Sequence, residues 1–90
     1  MGADVGTGMS VDEIVAGLKQ QLADLSEGKL QASAIDGNGH LFDYGYVDSL
    51  SAVMFIAHIE ERYGVQIEDM DLIEKFTTLD AIARHVAASA

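Results

Sequence analysis

The 90 residues contain no cysteine, no proline and no tryptophan, and only five lysines and arginines together. Without cysteine there is no disulfide framework and no thiolate metal site. No apolar run is long enough for a membrane span or for the core of a secretory signal. The start, Met1-Gly2-Ala3-Asp4-Val5-Gly6, has glycine where an N-myristoylation motif needs Ser or Thr. The expectation is a soluble, cytoplasmic, monomeric domain. The few bases face 15 acids, for a formal net charge of −10. A field of that sign repels phosphate backbones and anionic lipid, so neither nucleic acid nor membrane is expected as a partner. Basic patches on other proteins are attracted instead, although an acidic surface also serves solubility alone.

What is present is a 49% hydrophobic composition, enough for one small core. Residues 1–9, with three glycines and no period, read as a flexible N-terminal tail; residues 10–88 form the domain, and 89–90 the C-terminal end. Ser10 and Glu13 have capping-box spacing, and Met9 with Ile14 that of a hydrophobic staple. Val11, Ile14, Val15, Leu18, Leu22 and Leu25 then recur at helical spacing until Gly28. Residues 29–47 have no sustained period, and Ile35, Leu41 and Phe42 are candidates to pin this long connection to a core. A second helix runs from about Ser49 to Tyr63, closed by Gly64. A short third element spans Asp71 to Phe76. A last helix starts at Thr77, paired with Asp80, and places Leu79, Ile82, Ala83 and Val86 on one face. No segment alternates convincingly as a strand. The fold class expected is all-α, a small four-helix bundle of three main helices and one short one.

The second helix carries two apolar faces. Ala52, Phe55, Ile56, Ile59 and Tyr63 make one stripe; Leu50, Val53, Met54 and Ala57 make another on a different side. One stripe suffices for a surface helix. The second is either buried because the helix is central, or a partner-binding face rimmed by Glu60 and Glu61. At the start of this helix stand Asp48 and Ser49, where unpaired N–H groups and the helix dipole favour a phosphate ester. An Asp-Ser helix start is also common for its own sake.

The segment Leu41-Phe42-Asp43-Tyr44-Gly45-Tyr46-Val47-Asp48-Ser49-Leu50 resembles the prosthetic-group attachment loop of acyl and peptidyl carrier proteins. Ile59-Glu60-Glu61-Arg62-Tyr63-Gly64-Val65-Gln66-Ile67 and Phe76-Thr77-Thr78-Leu79 follow at matching distances, so the resemblance covers about residues 10 to 88. It implies a four-helix carrier fold with 4′-phosphopantetheine, supplied by coenzyme A, attached to Ser49. The arm's thiol would hold acyl or aminoacyl groups as thioesters. Ser49 is then an attachment point and no residue is catalytic. The expected partners are a phosphopantetheinyl transferase, a loading enzyme and a downstream synthase or transferase. They would engage Asp48, Leu50, Val53, Met54, Ala57, Glu60 and Glu61.

Three features depart from the commonest fatty-acid pattern. Gly45 lies four residues before Ser49 instead of three, Met54 stands where an acid is frequent, and the link through Glu68, Asp69, Met70 and Asp71 is longer and lacks proline. These are more similar to freestanding carriers of specialised pathways, of polyketide, nonribosomal-peptide or antibiotic type. A D-alanine carrier for cell-envelope modification is the alternative within the same mechanism. An unmodified acidic helical adaptor is the alternative of another class.

Other constellations carry less. An EF-hand loop counted from Asp36 needs glycine at the sixth place and a carboxylate at the twelfth, and finds Leu41 and Val47. His40, His58 and His85 lie in separate segments without ligand spacing, so no metal is expected. Phe42, Tyr44 and Tyr46 cluster near Ser49; packing in the core is the expectation, and contact with the prosthetic arm is the alternative.

Overall fold

A computed structural model describes residues 10–89. The expected tail over 1–9, and with it the Met9 half of the staple, lies outside them. The chain forms α1 (Val11–Leu25), a single 3-10 turn (Ala32–Ala34), α2 (Ser49–Tyr63), α3 (Asp69–Glu74) and α4 (Leu79–Ser89). No strand occurs among the described residues. The architecture is the expected all-α bundle of three main helices and one short one.

α1 starts at the capping box read from the sequence: the Glu13 N–H donates to Ser10 Oγ at 3.1 Å, and the Ser10 N–H to Glu13 Oε1 at 2.9 Å. Ile14, Leu18 and Leu22 are its fully buried row. The helix is closed by Ser26, whose N–H returns to Leu22 O, and by Gly28 at φ +89°, a conformation that suits glycine. α1 packs chiefly against α4 and then α2. From α4 come Leu79, Ile82, Ala83 and Val86; from α2 come Ala52, Phe55, Ile56 and Ile59, all buried. Val65 and Ile67, two apart in the link after α2, both turn inward.

Two helix starts differ from expectation. α3 covers Asp69–Glu74 instead of 71–76: the Glu68 N–H donates to Asp71 Oδ2 at 3.4 Å in a capping box that starts it two residues earlier, and the Phe76 N–H reaches back five residues to Asp71 O at 2.7 Å where it ends. α4 starts at Leu79, one or two residues later than the expected Thr77. Its cap is Thr78, whose Oγ1 accepts from the Ala81 N–H at 3.1 Å. The Thr77 carbonyl is engaged elsewhere, and Asp80 pairs with Arg84 at 2.8 Å in place of closing a box with Thr77.

The long connection is held at three points. Ile35 and Leu41 are buried in the core. The Leu41 N–H donates to Thr77 O at 2.8 Å, and the Asp80 N–H donates to Gly37 O at 2.9 Å, so this stretch is sewn to the start of α4. The Asp36 N–H donates to the Tyr46 hydroxyl at 2.9 Å, closing the loop on itself. These contacts fix the approach to α2.

Candidate functional site

Asp48 is the cap of α2 and Ser49 its first residue. The Asp48 carboxylate accepts from the Ser51 N–H at 2.9 Å, while Ser51 Oγ accepts from the Asp48 N–H at 2.9 Å. The same hydroxyl donates to Asp48 Oδ1 at 3.1 Å. These bonds, the Ser51 backbone N–H foremost, hold the exposed Asp48 carboxyl below its ordinary value of 3.8. An anion is thereby fixed at the positive end of the helix. From sequence Ser51 falls on the polar strip of α2, with no role at the cap. The signal was present, since Asp48-x-x-Ser51 has capping-box spacing with Ser in place of Glu or Gln.

Ser49 itself is exposed. It stands at the edge of a cleft of about 180 Å³ whose other walls are Phe42, Ala52, Val53, Ile56 and Ile73. A hydroxyl here is open to a modifying enzyme, a phosphodiester on it would meet the favourable end of the helix dipole, and the cleft beside it is apolar. These residues fit a phosphopantetheine ester.

The two faces of α2 separate as the helical wheel requires. The core stripe is buried, with Tyr63 half-buried at its end. The second stripe is open: Leu50 is 73% exposed, Val53 50% and Met54 47%, and Ala57 is exposed beside them. Burial at a central position is therefore excluded as the reason for this stripe. Sequence reasoning missed that α3 extends the apolar surface with Met70 and Ile73, which are also exposed. The signal available was Met70 and Ile73, two apolar side chains three apart in a short helix that also carries Asp69, Asp71 and Glu74.

Glu60 and Glu61 divide. Glu61 is exposed, whereas Glu60 is half-buried and its Oε2 accepts from the Ile67 N–H at 3.1 Å. Glu60 thus helps hold the link after α2 as well as facing a groove of about 610 Å³, formed with Val53, Ala57, Glu68, Met70 and Asp71.

The aromatic residues also divide. Phe42 and Tyr46 are half-buried against the core, but Tyr44 is 59% exposed. Its ring lies so close over Gly39 that a Cβ there would stand 2.9 Å from it. The backbone turn at 41–45 carries Tyr44 outward: the Tyr46 and Val47 N–H groups both return to Leu41 O, and Gly45 takes φ +76°. His40 Nδ1 accepts from the Asp43 N–H at 3.2 Å, His58 is exposed, and His85 stacks on Phe76 at 4.7 Å. Among the described residues no three potential metal ligands gather.

Residues 17–86, well over half of the chain, match the family model described as the phosphopantetheine attachment site. The chain belongs to that family. Domains of this kind bear covalently attached 4′-phosphopantetheine, so the chain is a carrier protein of the acyl and peptidyl carrier type. Such carriers are modified by a phosphopantetheinyl transferase and meet loading and downstream enzymes. A search of curated proteins returned no match. No helix of this carrier, among the described residues, is long and apolar enough to cross a membrane.

Proposed function

We propose that Ser49 is the attachment residue, and that the carrier unit over residues 10–88 holds acyl or aminoacyl groups for enzymes of polyketide or nonribosomal-peptide type in the cytoplasm. The observation that supports this reading is the placement of Ser49. It is the first residue of α2, exposed, next to a carboxylate fixed by Ser51, and beside an apolar cleft. When attached, the group supplies a thiol for thioester formation.

The chain's own residues do the remaining work. Asp48 and Ser51 fix the helix start that presents the hydroxyl. Leu50, Val53, Met54 and Ala57 offer apolar contact to the transferase, the loading enzyme and the downstream synthase, with Glu61 and the outer part of Glu60 as an acidic rim for basic residues. No catalytic role falls to this chain.

The test is intact mass after incubation with coenzyme A and a broad-specificity phosphopantetheinyl transferase. The expected result is a gain of one phosphopantetheinyl group in the wild type and none in Ser49→Ala. Loading of a folded Ser49→Ala variant would move the attachment elsewhere. Failure of the folded wild type to load, with a transferase proven on another carrier, would support the unmodified adaptor.

A further inference from the structure

We propose that Met54 and Met70 are an oxidation site, and that their conversion to sulfoxides by a neutral peroxide loosens the carrier from its enzymes. The inference holds only where partner enzymes engage the exposed face of α2, as the proposed function has it. The chain has no cysteine, so before the arm is attached its methionine thioethers are its only sulfur. It has four methionines, of which Met1 and Met9 lie outside the described residues. Methionine commonly fills gaps in a core. Neither described methionine does so here, because the buried apolar residues are Ile, Leu, Val, Ala and Phe. Met54 on α2 is 47% exposed and Met70 on α3 is 57% exposed. Met70 lines the groove between the two helices with Val53 and Ala57, which share the open stripe of α2 with Met54. An oxidant therefore reaches both sulfurs without any opening of the fold.

Charge selects the oxidant. The chain carries a formal net charge of −10, and Glu60, Glu68 and Asp71 line the groove with Met70. That field repels an anionic oxidant and leaves a neutral hydroperoxide free to approach. With hydrogen peroxide the step balances as it stands. The sulfur lone pair attacks one peroxide oxygen, the O–O bond breaks, and the hydroxide that leaves takes the remaining proton and departs as water. Sulfur loses two electrons and the peroxide gains them. Reversal takes two thiols, which become a disulfide while the sulfoxide oxygen leaves as water.

Oxidation turns an apolar side chain into a strong hydrogen-bond acceptor. The charged groups lining the groove are all carboxylates, which are acceptors too and have no proton to give it. In the free protein, water satisfies the new oxygen and the fold is undisturbed. Under an apolar partner surface that water is expelled and the acceptor is left unpaired. Docking weakens while folding does not, the opposite of what oxidation of a core methionine does.

The experiment compares untreated and hydrogen-peroxide-treated protein as substrates of a broad-specificity phosphopantetheinyl transferase with coenzyme A. Intact mass first establishes loading of the untreated protein, so a failure of the attachment reading is seen before any oxidant is added. Peptide mapping is expected to find sulfoxide at Met54 and Met70. The KM for the carrier is expected to rise by about fivefold or more, with kcat and the thermal midpoint little changed. Methionine sulfoxide reductases for both epimers, with a dithiol, are expected to restore the original KM. The folded Met54→Leu/Met70→Leu double variant is compared with itself before and after treatment. Its KM is expected to stay where it was, although Met1 and Met9 remain open to oxidation. Absence of sulfoxide at Met54 and Met70, or sulfoxide at both with an unchanged KM, overturns the proposal. So does a KM that rises only with a collapse of the thermal midpoint, since the loss is then unfolding. A Leu50→Asn variant separates the causes of an unchanged KM: a raised KM there means the contact face is right and oxidation is inert, and an unchanged one means the transferase docks elsewhere.

Discussion

The hydroxyl of Tyr63, at the end of α2, rests against Gly17 of α1 so closely that a Cβ on Gly17 would lie 2.9 Å from it. That hydroxyl is buried and has no hydrogen-bond partner among the described residues. A buried unpaired O–H is costly, and glycine inside a helix costs about 1 kcal/mol relative to alanine. Both penalties meet at one contact between two helices. Tyr63→Phe is therefore expected to stabilise the fold by about 1 kcal/mol. Gly17→Ala alone is expected to destabilise it through the close contact, and to stabilise it when combined with Tyr63→Phe. Urea unfolding of the two single variants and the double variant gives the coupling directly; additive effects would mean that the two residues do not oppose each other.

Ile59 and Met54 lie on the same helix with opposite environments, 0% and 47% exposed. Ile59→Ala is expected to destabilise by about 2–5 kcal/mol. Met54→Glu is expected to change stability by under about 0.5 kcal/mol while weakening the binding of partner enzymes. Thermal melts with the opposite order of effects would mean that the two faces have been exchanged.

The Asp48 carboxyl titrates below 3.8 in the fold, held there by the Ser51 N–H before any other cause. The stabilisation from this cap is present in full above the ordinary value of 3.8. It is lost as pH falls from there through the lowered folded value, since the unfolded chain takes up the proton first. Asp48→Asn retains an acceptor for the cap but removes the charge. The stability difference between wild type and Asp48→Asn is expected to narrow on acidification from neutral pH to about pH 3. A difference that stays constant would show that charge adds nothing to the cap.

Tyr46 joins the two ends of the loop through its hydroxyl and the Asp36 N–H. Tyr46→Phe is expected to cost about 0.5–1.5 kcal/mol and to accelerate hydrogen exchange at the Asp36 amide, with less effect at Leu18 or Ile82 in the core. Unchanged exchange at Asp36 would mean that other contacts hold the turn.

The elements that were legible in the sequence are those governed by local rules. The Ser10–Glu13 box, the Gly64 stop and the two faces of α2 follow from side-chain spacing alone, and the structure reproduces them. The start of α4 was misread because two adjacent threonines compete for the cap. A backbone bond from the distant Leu41 settles the matter by taking the Thr77 carbonyl. The loop was unreadable for a similar reason. Its order comes from backbone bonds to α4 and from one tyrosine hydroxyl ten residues away, and neither leaves a period in the sequence. At the candidate site, the resemblance of the surrounding segment points to Asp48 and Ser49, and the structure puts the two at the start of α2. The apolar extension onto Met70 and Ile73 required knowing that α3 lies beside α2.

The seams between the loop and α4 join main chain to main chain, from Leu41 to Thr77 and from Asp80 to Gly37. No side chain takes part in either. The loop's outward letters, such as Asn38 and Asp43, are thus free to be rewritten without touching either seam. A carrier built this way can change the surface chemistry around Ser49 while Ser49 keeps its place at the start of α2.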